Sequence, residues 1–140
     1  MRLDDFTAKI ASMLGVPCPE LRFVAALSTP TQIAAMDPES LVLTLRSSAS
    51  DLDAAFAVAH ELRHLWQQQT ERFDLDEHAV PGSVSTIDYN LQAEAIDANA
   101  FGALVMESFF HVRPTFPSLP PDLVRMIESR KHTILEEEFQ

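Results

Sequence analysis

The sequence predicts an α+β fold, in which a small sheet of about three strands packs on one long helix and further helices enclose it. Three short β-prone runs, at residues 21–27, 31–36 and 41–46, are flanked by longer runs with helical periodicity. The 140 residues are enough to bury a core without disulfides, and no internal repeat or low-complexity linker divides them. We therefore expect a single domain covering residues 1–140.

The spacing of apolar residues and the positions of turn residues predict the N-terminal helix and the strands that follow it. Residues 3–14 carry an apolar side chain at every fourth position, which predicts an amphipathic helix that ends at Gly15. The run LRFVAAL at residues 21–27 predicts a strand. The segments TQIAAM and LVLTLR flank DPES, in which Pro38 suits the second position of a tight turn, so they predict a β-hairpin.

The strongest helical pattern follows the hairpin, in SSASDLDAAFAVAHELRHLWQQQ at residues 47–69. Its serines are candidates for the N-cap, and two aspartates suit the positive end of the helix dipole. Arg63 is expected at the surface or beside carboxylates. An apolar stripe is expected to face the core and consists of Leu52, Phe56, Ala59, Leu62 and Trp66.

The C-terminal half predicts two more helices. A second long helix is expected at about 87–110, after an acidic loop at 70–86. The segment RPTFPSLPP cannot be helical throughout and is expected to be extended, and Pro121 suits the first turn of a last helix. The apolar side of that helix is expected to consist of Leu123, Met126, Ile127 and Ile134.

The composition limits which partners the protein is expected to bind and in which compartment it is expected to lie. A net charge of −11 repels phosphate backbones and disfavours nucleic-acid binding, and no apolar run is long enough to cross a bilayer. Acidic residues stand near the N-terminus, where a signal peptide would be basic. The single cysteine, Cys18, cannot form an internal disulfide. We expect a cytoplasmic protein that binds neither nucleic acid nor membrane, and the sequence leaves its oligomeric state open.

The motif HELRH, within the predicted long helix, is the main candidate for chemistry. His60 and His64 are four residues apart, so they lie one turn above each other and can reach one zinc ion. Glu61 is turned about 100° from His60, so it can approach a metal-bound water without binding the metal. The motif predicts a zinc site with Glu61 as general base. The alternative is a solvated helix face that happens to contain two histidines.

The third metal ligand is less clear from the sequence. The extended metzincin pattern needs glycine and histidine at the positions of Gln67 and Thr70, so that class is excluded. Two histidines on one helix and a carboxylate from the next form a known catalytic arrangement that leaves the fourth position to water. We favour Glu94 as this ligand, with Asp97 and His78 as alternatives. The alternative to a ligand role is that Glu94 and Asp97 both face solvent.

The combination of AHELRHLWQ with the later LQAEAIDANAFGALVM resembles the zincin metallopeptidases that have a glutamate as third ligand. More narrowly, it resembles the ImmA/IrrE-type proteins of bacteria, phages and mobile elements, over about residues 30–106. The resemblance implies a zincin-like fold and a narrow protein substrate such as a repressor. One departure is clear: the group usually has its glutamate four residues before the position of Asn99, and that position here is Ala95.

Together these features predict a zinc-dependent metallopeptidase that acts on a protein or peptide. His60, His64 and Glu94 hold Zn²⁺, while Glu61 takes a proton from the metal-bound water that attacks the peptide carbonyl. The hairpin edge at 41–46 is a candidate for binding substrate as an added strand. Two alternatives stay open: a catalytically inactive zincin-like binding or regulatory protein, and a domain with a purely structural zinc.

Overall fold

The computed structural model describes residues 2–70 and 93–138, and in these ranges the protein is α+β. Its elements are α1 (Leu3–Leu14), β1 (Glu20–Val24), β2 (Ala34–Asp37), β3 (Val42–Arg46), α2 (Asp51–Thr70), α3 (Ala93–Phe110) and α4 (Pro121–Glu138). The predicted α+β class and the small sheet are confirmed, with four helices and one three-stranded sheet among the described residues. None of the described helices is long and apolar enough to cross a membrane.

The chain divides into two compact units, Met1–Thr70 and Glu71–Gln140. The first contains α1, the sheet and α2, and the second contains α3 and α4. The single domain expected from the sequence stays a prediction.

Helix α1 ends as its sequence predicts, at Gly15. This glycine has a φ of +70°, and its N–H bonds the Ser12 carbonyl oxygen at 3.2 Å. The N–H of Val16 reaches back to the Ala11 carbonyl oxygen at 3.0 Å. These two bonds form a Schellman motif, which satisfies carbonyl groups that the end of a helix leaves open.

The sheet has the strand order β1-β3-β2. The predicted hairpin is confirmed, because β2 pairs antiparallel with β3, and Asp37 Oδ1 accepts the Glu39 N–H at 3.0 Å in the turn. Strand β1 pairs parallel with the other side of β3. The expectation that residues 41–46 form an exposed edge is therefore wrong, since both sides of β3 are used by neighbouring strands. Strand addition by a peptide at β3 is excluded, and β1 and β2 are the outer strands of the described sheet.

Helix α2 packs against α1 and against β2 and β3. The Ser50 hydroxyl accepts the Asp53 N–H at 3.2 Å, which confirms a serine N-cap. The expected apolar stripe is only partly right: Leu52 is 44% exposed, in the first turn of the helix. Ala59 and Leu62 of the predicted stripe are buried, and the buried face also includes Ala55, Val58 and Leu65.

Arg63 is not at the surface, which was one of the two positions expected for it. Its side chain is fully buried, and its guanidinium carbon lies 3.7 Å from the centroid of the half-buried Trp66 ring. A guanidinium on an aromatic face gains cation–π attraction, which compensates part of the cost of burying the charge.

The second unit is built from α3 packed against α4. Every residue of α3 from Glu94 to Met106 is buried, and α4 buries Leu123, Ile127, Lys131 and Ile134. Met126 is 44% exposed, contrary to the predicted apolar side, because the buried face follows the i, i+4, i+8 positions from Leu123 instead. Residues 111–120 are not helical, as the prolines predict. Residues 87–92 of the predicted second helix lie outside the described ranges.

Candidate metal centre

Helix α2 places the two histidines of HELRH on one face, one turn apart. The ring centroids of His60 and His64 are 4.7 Å apart, and the two ring planes are nearly perpendicular, at 89°. Phe56, one turn earlier, stacks on the His60 ring at 6.1 Å between centroids. The three rings thus form a row along the helix.

The separation of the imidazoles fits a shared metal ion. A Zn–N bond of about 2.0–2.1 Å, extended to the ring centre, puts the centroids of two imidazoles on a tetrahedral zinc roughly 5 Å apart. The observed 4.7 Å is close to this value. Both rings are also partly shielded from solvent, which lowers the competition from bulk water.

Gln67 contacts one nitrogen of the His64 ring. The Nδ1 atom of His64 lies 2.9 Å from the Gln67 amide oxygen, and the Gln67 side chain is fully buried. The amide oxygen only accepts hydrogen bonds, so a hydrogen bond at this contact requires the proton of His64 on Nδ1. Nε2 is itself a buried atom. Metal-binding histidines almost always donate their other ring N–H in this way.

Glu61 lies beside the pair with access to solvent. Its side chain is 21% exposed, and its Oε1 is 3.8 Å from His60 Nδ1, which is too far for a hydrogen bond. A carboxylate in this position can be reached by a water molecule. Access to water is one condition that a general base must meet.

The acidic candidates on α3 are both buried. Glu94, in the first turn of the helix, is 6% exposed, and Asp97 is 1% exposed. The possibility that both simply face solvent is therefore wrong. The Arg130 side chain binds Asp97 Oδ1 through two nitrogens, each at 2.8 Å. Carboxylates are rarely this buried unless they are paired or bind a metal.

A complete metal shell is not assembled among the described residues. Within residues 2–70 and 93–138, no group of three or more His, Cys, Asp or Glu side chains is close enough to hold a metal ion. His60 and His64 belong to the first unit and Glu94 to the second, while His78 lies outside the described ranges. The third ligand stays a prediction.

Sequence reasoning missed two residues that bear on the site. The HELRH motif does not include Gln67, although its position three residues after His64 puts it on the same side of the helix. Arg130 lies 33 residues after Asp97, and no local pattern connects the two.

No family model, curated protein or solved structure matches this chain.

Proposed function

We propose that this chain is a zinc-dependent metallopeptidase with a zincin-like fold, similar to the ImmA/IrrE-type group, and that it hydrolyses peptide bonds in a protein substrate. The observation that carries this proposal is the pair of imidazoles on α2, with centroids 4.7 Å apart and with Glu61 next to the first of them. The buried hydrogen bond from His64 to Gln67 supports it, because it prepares a ring nitrogen for a metal.

His60, His64 and Glu94 are the residues that would hold the metal. Zinc, when bound, supplies a Lewis acid and lowers the pKa of a water molecule to about 7. Glu94 keeps the place in this set that its position on the second long helix predicts, and its side chain is buried in the first turn of α3. Asp97 is less suited to the role, because Arg130 already binds one of its oxygens.

Glu61 is the proton carrier in this proposal. Its partly exposed carboxylate accepts the proton of the attacking water and delivers it to the amine that leaves the cleaved peptide bond. The carboxylate must be ionised to begin and must be able to release the proton again, and both are easier with some contact to solvent. Cleavage consumes one water and yields a new carboxylate and a new amine.

Zinc content tests the metal site directly. We expect about one zinc per chain in protein purified without a histidine tag, and loss of this zinc in His60→Ala and in His64→Ala, because each removes one ligand. His132→Ala is the matched control, since this histidine is exposed on α4. A wild-type chain that binds no zinc even after zinc is added would contradict the proposal.

Catalysis is tested with Glu61→Gln, which keeps the shape of the side chain and cannot accept the proton. Zinc-loaded chain is incubated with a library of tryptic peptides, and new termini are detected by mass spectrometry. We expect Glu61→Gln to retain zinc and to cleave at least ~100-fold more slowly than wild type. Equal rates would show that Glu61 is not the base. Zinc binding without any cleavage by the wild type would favour the inactive binding protein.

A further inference from the structure

We propose that Gln67 is a positioning residue that holds His64 in the tautomer with the proton on Nδ1, so that Nε2 is the metal-binding nitrogen. This inference deepens the proposed function and rests on it for the role of the metal. The tautomer itself is a property of the chain without zinc, so it can be tested separately.

The geometry follows from the helix. Side chains of a helix lean toward its N-terminus, so a residue at i+3 extends back over the residue at i. Gln67 therefore reaches His64, and its amide oxygen lies 2.9 Å from Nδ1. The amide oxygen carries no hydrogen and can only accept a hydrogen bond. The imidazole must therefore donate this hydrogen bond from its Nδ1. A neutral imidazole has one N–H, and the lone pair of the ring is then on Nε2.

Gln67 differs from the neighbouring glutamines in its burial. Gln67, Gln68 and Gln69 are consecutive and chemically identical, but Gln67 is fully buried while the other two are exposed. Burying an amide is costly unless it is hydrogen-bonded. The contact with His64 provides a hydrogen bond for this amide. The other buried side chains of α2 are mainly apolar.

The first experiment measures the tautomer by ¹⁵N NMR of the histidine rings in zinc-free protein. We expect wild type to show a protonated Nδ1 and an unprotonated Nε2 for His64. Gln67→Leu removes the acceptor and should give a mixture of tautomers, and Gln68→Leu, the matched control, should match wild type. Gln67→Glu retains an acceptor at the same place and should restore the wild-type pattern.

The second experiment titrates zinc against a competing chelator in the same four proteins. We expect Gln67→Leu to lose ~10–100-fold in affinity, as is typical when the hydrogen-bond partner of a metal-binding histidine is removed. Gln68→Leu should bind as wild type, and Gln67→Glu should recover most of the loss. Thermal unfolding of each variant separates a lost hydrogen bond from a misfolded chain. Gln67→Met, which has a similar shape, replaces Gln67→Leu if the latter does not fold.

The inference is overturned if wild-type His64 carries its proton on Nε2, or if its tautomer is the same in Gln67→Leu or its Met replacement as in wild type. Equal loss of zinc affinity in Gln67→Leu and Gln68→Leu also overturns it. Failure of the proposed function has a different signature: wild type then binds no zinc, while the tautomer of His64 still depends on Gln67.

Discussion

At the scale of single residues, α3 presents two buried acids that we assign to different tasks. Asp97 is bound by Arg130 through two contacts of 2.8 Å, and the Arg130 side chain is 21% exposed. This pair ties α3 to α4. Glu94, one turn earlier, is 6% exposed and is the proposed metal ligand. The two roles predict different effects of substitution, one on zinc affinity and the other on stability.

We expect Glu94→Ala to lose zinc and Asp97→Ala to lose stability. Removing Asp97 leaves the partly buried Arg130 without this carboxylate and should lower the free energy of unfolding by about 2 kcal/mol, while zinc affinity changes less than in Glu94→Ala. Chelator competition measures the zinc affinity, and urea denaturation measures the stability. The assignment fails if Asp97→Ala, or a His78→Ala control, is the more damaging change for zinc.

At the scale of elements, α1 and α3 are each followed by a residue in the left-handed region, a glycine after α1 and a histidine after α3. Gly15 follows α1 with a φ of +70°, and His111 follows α3 with a φ of +55°. An added Cβ at Gly15 would meet no atom within 4 Å, so any cost of a side chain there comes from the backbone itself. A side chain in the left-handed region costs roughly 1–2 kcal/mol.

These two positions predict changes of opposite sign. Gly15→Ala should lower the free energy of unfolding by about 1 kcal/mol because it introduces backbone strain. His111→Gly should raise it by roughly 0.5–1 kcal/mol, since relief of strain exceeds the added entropy of the unfolded chain. Urea denaturation of both variants measures the change. A destabilised His111→Gly would show that the His111 side chain contributes more than its backbone costs.

At the scale of the whole molecule, the chain has a net charge of −11, and several cations in the described part of the second unit lie against carboxylates. In the second unit, Lys131 Nζ contacts Glu107 at 2.7 Å and Glu128 at 3.2 Å, and Arg113 contacts Glu128 at 3.3 Å. Burial by itself raises the pKa of Glu128. Hydrogen bonds and charges from Lys131 and Arg113 outweigh this effect and lower the pKa below its ordinary value of 4.5.

The ion pairs of Glu128 predict how the stability of the fold depends on pH. Because the pKa of Glu128 is lower in the folded state, its contribution is fully present above about pH 4.5 and is lost as the pH falls through the folded-state pKa. Glu128→Gln should therefore be less stable than wild type at pH 7, and the difference should shrink toward pH 3. Denaturation across this range measures it, with Glu136→Gln as an exposed control on the same helix. A pH-independent difference would argue against the ionised pair.

Features that depend on residues close in the chain were determined by the sequence. The stop of α1 at Gly15, the serine N-cap of α2 and the β2–β3 hairpin are confirmed, because each depends on interactions within a few residues. The row of His60 and His64 is likewise fixed by helical spacing alone, since residues four apart must lie on one face.

Features that join distant segments were decided only by the tertiary structure. The parallel pairing of β1 makes β3 the central strand, although the hairpin sequence is equally compatible with β3 at an edge. Arg63 is buried and Asp97 is bound by Arg130 because of packing that no local pattern records. Hydrogen bonds and burial depend on which surfaces meet in space, and periodicity shows only which side of an element is able to meet another.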